Sequence, residues 1–326
     1  MTERGSREAQ LPAYKRLNWR EAYRDCALCP RLCHRNRLEG ERGFCRMTAE
    51  LRVARASLHL WEEPWLTGDA GSGTVFFTGC PLTCVYCQNG PISRGEVGEI
   101  VSLRELVQIF LKLQALGAAN INLVTAVHVI PHLLAAIPLA REAGLSIPFV
   151  YNSSGYERVS ALRLLDGLID IYLPDFKYWS GEIARRYSGA ADYPVRAKAA
   201  VAEMLRQVGP CCFDSNGTMT KGVICRHLLL PGQAAAARSI TRYLHRTYGD
   251  AIYLSLMSQY TPMETEASRA FPELRRRVRQ ENYEAWIDDC LAAGVDRAYV
   301  QEGESASESF IPDFSHWSLQ DFLAGN

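Results

Sequence analysis

With 326 residues, 48% of them hydrophobic, the chain can form one large α/β domain or two modest ones around a substantial core. A formal net charge of +0 argues against bulk electrostatic capture of nucleic acid or an anionic membrane and leaves only local patches. No apolar run approaches the ~20 residues of a membrane span, and the polar N-terminus carries no signal-peptide segment, so a cytoplasmic protein with no nucleic-acid or membrane partner is expected.

In chain order, residues 1 to about 20 read as a weakly ordered tail, and 21–58 as a Cys- and Arg-rich segment with little periodicity. From Gly73 a rhythm begins. GTVFFT (73–78) is apolar and β-prone, and Ser102 with Glu105 forms a capping box ahead of a helix closed by Gly117. Strands are predicted at 121–126, 147–154, 168–177, 221–232, 251–260 and, in a short final piece, 297–303. Between them lie predicted helices at 131–144, kinked by Pro138, at 157–167, at 196–209, through Tyr248, and over roughly 269–293. Apolar strands alternating with amphipathic helices indicate βα units on a parallel sheet. About six units fall short of the eight in a closed barrel, so the expected fold is a partial (β/α)6 TIM-like barrel behind a Cys-rich N-terminal extension. The expected division is 1–58 for the tail and metal-binding segment, 59–303 for the barrel, and 304–326 for a C-terminal tail packed on it.

The cysteines carry the chemistry. Eleven is a high count for a reducing compartment and favours metal or redox use over disulfides. Cys80, Cys84 and Cys87 stand at gaps of three and two residues, just after the first βα strand. Three thiols can hold three corners of a cubane cluster; an electron-transfer cluster normally has four, so three leave one iron open for chemistry. Cys26, Cys29, Cys33 and Cys45 form a second group, able to complete a tetrahedral Zn²⁺ site or to hold a second iron–sulfur cluster. Cys211, Cys212, Cys225 and Cys290 are not in ligand-like arrays.

The run CPLTCVYC after the first strand of a six-unit array resembles the radical S-adenosylmethionine (SAM) superfamily. CALCPRLC with GERGFC, EEPWLTG, GCPLTCVYCQN, YNSSGY, DIYLPDFKY, RHLLLPG and LMSQY extend the likeness to a branch related to the pyruvate formate-lyase activating enzyme. The resemblance implies a [4Fe–4S] cluster on Cys80, Cys84 and Cys87, with SAM chelating the fourth iron. Reductive cleavage of SAM would then give a 5′-deoxyadenosyl radical that abstracts hydrogen from a protein or peptide substrate. A reducing partner such as flavodoxin or ferredoxin is implied as well. Matched to the family, Tyr86 lies near adenine, Asn152 and Ser153 near the ribose or methionine of SAM, and Asp175 and Lys177 near its carboxylate. Arg226, His227 and Gln259, with Tyr260, aim at the same cavity. The usual Gly-Gly-Glu is replaced by LVTAVH, where Thr125 and His128 are the substitutes for SAM amino-group recognition. Two alternatives stay open: a radical SAM enzyme modifying a small molecule, and a non-catalytic iron–sulfur or zinc interaction protein.

Overall fold

The computed structural model describes residues 19–263, 269–301, 314 and 317–325. The expectations for the N-terminal tail up to residue 18 and for the 303–309 connector lie outside them. Ten strands form one sheet: β1 (Arg52–His59), β2 (Ser72–Phe77), β3 (Glu99–Ile100), β4 (Ile121–Val124), β5 (Phe149–Ser153), β6 (Ile171–Pro174), β7 (Cys212–Phe213), β8 (Met219–Leu228), β9 (Tyr253–Met257) and β10 (Ala298–Val300). The order along the main path is β10-β9-β8-β6-β5-β4-β2-β1-β3, with β7 added to β8.

The seven strands β2, β4, β5, β6, β8, β9 and β10 pair in parallel, in chain order. All seven match strands predicted from the apolar runs. β2, β5 and β6 are buried along their whole length, as strands covered on both faces must be. Among the described residues, β3 and β10 end the path of the sheet, which stays open.

The crossover helices include Leu103–Ala115, Ile130–Glu142, Tyr193–Val208, Ala234–Tyr248 and Gln280–Ala292. The first begins at the predicted capping box: Ser102 Oγ accepts from the Glu105 N–H, and Glu105 in turn accepts from the Ser102 N–H. Pro138 sits inside the second, as predicted. Trp286, fully buried, anchors the last against β8 through an edge contact with His227.

Several elements differ from expectation, among them the short strands β3 and β7, which were not predicted, and three larger ones. β1 is hidden in the sequence because its pairing with β2 shifts register between Val53 and Arg55, and a bulge breaks the in–out alternation that marks a strand. It runs across residue 58, so the cysteine-rich segment passes into the sheet without a break. The helix expected over 269–293 is instead a 3-10 turn at Pro272–Arg275 followed by Gln280–Ala292, with Arg276 and Arg279 extended between them. Pro272 starts a new turn, and a continued helix would set Arg275 and Arg279 one turn apart as a like-charge pair. The helix Gly181–Ser188 is the third, with no counterpart among the predicted elements. In the C-terminal part, Trp317 donates its indole N–H to the Ala56 carbonyl, and the Phe314 ring meets Phe76.

Candidate active site

Parallel pairing sends the C-terminal ends of β2, β4, β5, β6, β8 and β9 to one side, where the chemistry of such sheets gathers. There a cavity of about 290 Å³ is lined by Cys80, Cys84 and Cys87 together with Tyr86, Thr125, Asn152, Ser153, Asp175, Lys177, Arg226 and Gln259. Residues as distant in the chain as Cys80 and Gln259 thus meet around one space, and of the SAM contacts predicted on strands three to six only His227 stays outside it.

Adjacent strand residues point to opposite faces, so Arg226 enters the cavity while His227 turns toward the helices. Its Nδ1 pairs with the Phe176 carbonyl at 2.6 Å, and burial drives its pKa down to about 4. His128 also turns away from the cavity, bonding the Thr78 carbonyl at 2.7 Å from an enclosed position. Burial, reinforced by Arg37, lowers its pKa to about 3. His128 therefore holds the base of the three-cysteine loop and does not line the cavity. Thr125 lines the cavity with φ +57, a left-handed conformation costly for a β-branched residue.

The cysteine loop leaves β2 through Gly79. Its φ is +96, and a Cβ there would stand 2.5 Å from Met47 Cγ and 2.8 Å from the Cys45 carbonyl oxygen, so only glycine fits. Several bonds fix the loop. Val85 N–H donates to the Tyr187 carbonyl at 2.9 Å, and Ser188 Oγ lies 2.9 Å from Cys84 Sγ. Tyr178 OH lies between Ser188 Oγ and Tyr86 OH, at 2.5 and 2.7 Å. The Tyr86 ring makes edge contacts with Tyr178, Tyr187 and Tyr260. From the N-terminal segment, Arg31 donates to the carbonyls of Pro81, Ser188 and Gly189.

Opposite the loop is a buried charge network. Arg226 donates to Asp175 at 2.9 Å, to Glu62 at 3.0 Å and to Asn152 Oδ1 at 2.6 Å, while Lys177 Nζ lies 2.6 Å from Asp175. Glu62 also accepts from Asn122 and Asn152. Two carboxylates and two cations pair here, and burial pushes a third carboxyl within their reach, Glu63, up to about 7. Burial disfavours the Asp175 charge, yet Arg226 and Lys177 outweigh it and hold the carboxyl below its usual range. Burial likewise works against the Lys177 ammonium, and Asp175 reverses the effect. Asn152 is already engaged by Arg226 and Glu62. Ser153 Oγ is committed to Glu157 and to the Gly155 N–H.

Glu62 escaped the sequence reading. It belongs to the EEPWLTG block, after β1, and reaches across to β8; the signal was an acidic pair set in an apolar stretch. Lys177 also lowers the Cys84 thiol electrostatically, although burial leaves that thiol, like Cys80, raised overall. Thiols so placed become thiolates only against added positive charge, such as bound iron. Among the described residues no three His, Cys, Asp or Glu side chains converge on a point where one metal ion could sit.

No family model matches the chain. Two crystal structures of Streptococcus suis SuiB, one bound to precursor peptide SuiA and one bound to S-adenosylmethionine, resemble it with a TM-score of 0.47 each. Identities are 11% and 10%, over 74% of this chain in both cases and 51% and 52% of theirs, so the chain spans about half the length of the SuiB chains. The Uncharacterized protein MJ0674 of Methanocaldococcus jannaschii is 30% identical over 285 residues, 85% of this chain and 77% of that protein. With that identity and coverage, the chain belongs to the family of the M. jannaschii protein.

Proposed function

We propose that this protein is a radical SAM enzyme built on a partial (β/α)6 barrel, and that its substrate is a protein or peptide, as in the activating-enzyme branch its sequence resembles. The single observation that carries the reading is the meeting of Cys80, Cys84 and Cys87 with Asn152, Asp175, Lys177 and Gln259 around one cavity at the strand C-termini. Cys80, Cys84 and Cys87 would hold a [4Fe–4S] cluster, and that cluster with SAM would supply the one-electron reductive cleavage that yields a hydrogen-abstracting 5′-deoxyadenosyl radical.

The chain's own residues bind and enclose. Lys177 offers a point positive charge for the SAM carboxylate, and Asp175 keeps that ammonium charged and aimed. Arg226, held by Glu62 and Asp175, fixes Asn152 at the end of β5. Tyr86, locked by Tyr178, shapes the wall beside the third cysteine, and Thr125 and Gln259 complete the lining. The strongly exposed Trp61 lies on the cavity lining beside the exposed Leu60, and this apolar rim supports a peptide as the group that approaches. A reducing partner, flavodoxin or ferredoxin, belongs to the same reading.

The test is anaerobic reconstitution with iron and sulfide, followed by SAM and a strong reductant. 5′-Deoxyadenosine should form, and none should form with the Cys80→Ala/Cys84→Ala/Cys87→Ala variant. Equal amounts from both proteins, or none from the parent, would overturn the assignment.

A further inference from the structure

Arg37 is the most enclosed charged side chain of the N-terminal segment, only 1% exposed. Its guanidinium donates to the Thr48 carbonyl at 3.1 and 2.7 Å, to the His128 carbonyl at 2.8 Å and to Cys26 Sγ at 3.6 Å, and it stacks on the Tyr23 ring at 4.4 Å. No carboxylate is among these partners. A buried cation without a counter-anion is costly, and carbonyl dipoles offset only part of that cost. The groups around it that can become negative are the Tyr23 phenol, whose ionisation burial opposes, and thiols. Cys26 touches it, and Cys45 lies within electrostatic reach of Arg37, Cys26 and Cys33. Cys29 lies within reach of Cys26 and Cys45.

Glycine keeps the sulfurs clear of the backbone here. A Cβ on Gly43 would stand 3.3 Å from Cys33 Sγ and 3.4 Å from Cys45 Sγ, tight against both. The four side chains do not converge on a single point, as the thiolates of a tetrahedral zinc must. Thiolates on separate irons of a cubane need no such point, and four of them around a cluster leave it with net negative charge.

We propose that Cys26, Cys29, Cys33 and Cys45 hold a second iron–sulfur cluster, and that buried Arg37 is its counter-cation. The geometry makes Arg37 a positioning and charge-balancing residue: it grips the Thr48 and His128 carbonyls on one side and the Cys26 sulfur on the other. The inference does not depend on SAM cleavage, because its readout is metal content and reduction potential.

The experiment uses the full chain carrying Cys80→Ala/Cys84→Ala/Cys87→Ala, reconstituted anaerobically with iron and sulfide in the presence of zinc. About four irons and four sulfides per chain are expected. One zinc without iron, or no metal at all, would overturn the cluster. Adding Arg37→Gln should shift the reduction potential of that cluster downward, since a positive charge and a hydrogen bond to sulfur both favour the reduced form. Arg37→Lys should keep it near the parent value. An unchanged potential in Arg37→Gln would overturn the counter-cation role; loss of iron from a folded Arg37→Gln protein, with iron retained in Arg37→Lys, would support it. If Arg37→Gln does not fold, the Arg37→Lys potential decides: a value near the parent supports the role and a large shift overturns it. Absence of 5′-deoxyadenosine from the unsubstituted protein would leave each of these outcomes standing.

Discussion

The two cysteine groups use the same ligand in opposite settings. Cys80, Cys84 and Cys87 stand on a loop at the mouth of a parallel sheet, opening onto a cavity and facing an ammonium, a guanidinium and two carboxylates. Cys26, Cys29 and Cys45 are buried, Cys33 partly so, and the group faces one arginine. The first arrangement leaves room for a ligand; the second is enclosed and ties its segment inward. They are joined as well. Arg31, between Cys29 and Cys33, bonds the Pro81 carbonyl between Cys80 and Cys84, and the Cys45 carbonyl packs against Gly79. The difference teaches that cysteine count alone does not assign a role: what surrounds the thiols separates a group that opens onto a cavity from one that braces its neighbour.

The sharpest way to break this contrast is to remove each set in turn. Replacing Cys80, Cys84 and Cys87 with alanine should abolish 5′-deoxyadenosine formation and leave the chemical denaturation midpoint close to the parent's. Replacing Cys26, Cys29, Cys33 and Cys45 should lower the midpoint and release the Arg31 contacts, seen as faster hydrogen exchange in residues 80–88. If the two variants gave the same pattern, the division between a reacting and a bracing centre would fail.

Next in size is the charge network. Arg226→Met removes the cation shared by Glu62 and Asp175 and leaves Glu62, 9% exposed at its side chain, without its guanidinium partner. A broken buried pair of this kind costs about 3–5 kcal/mol. Urea denaturation should show that loss while the N-terminal metal content stays unchanged, because no Arg226 contact in the network involves Cys26, Cys29, Cys33 or Cys45.

Much of this was legible before the structure. The apolar runs announced all seven parallel strands, because a strand buried on both faces is continuous in hydrophobicity. The cysteine gaps announced the loop, and the DFK run placed Asp175 and Lys177 correctly at a strand end. Glu62 was not legible, since its role arises only when the sheet brings the end of β1 and β8 to the same cavity. His227 misled for a related reason: a polar residue near a strand end invites functional assignment, but side-chain phase turns it to the helix side, while His128 lies in the 3-10 turn Val127–Val129 after β4 and bonds the Thr78 carbonyl.

Glu157 supplies a pH-dependent probe between the two regions. It is enclosed beside Ser153, accepts a hydrogen bond from that hydroxyl at 2.6 Å, and lies within electrostatic reach of Cys29. Burial raises its pKa from 4.5 to about 8. The folded state therefore keeps a proton that the unfolded chain has lost. The associated stability is fully present below pH 4.5 and is lost as pH rises toward 8, at up to about 1.4 kcal/mol per pH unit. Glu157→Gln, which cannot ionise, should flatten that slope in denaturation curves taken from pH 5 to 8 and gain most over the parent at the upper end. An unaltered slope would show that Glu157 is not the group responsible.

The smallest effect calibrates the others. Ser102 caps the helix Leu103–Ala115, away from both cysteine groups, and its hydroxyl accepts one N–H while Glu105 returns a bond to its own. Ser102→Ala removes half of this reciprocal pair at an exposed helix start, which costs about 0.5–2 kcal/mol. Iron per chain and 5′-deoxyadenosine formation should both hold, because that helix supplies no residue to the cavity. Should iron fall in step with this modest loss, metal retention would be reporting global stability, and losses in the cysteine variants would no longer distinguish one centre from the other. Constant iron in a slightly destabilised protein is what gives those larger losses their local meaning.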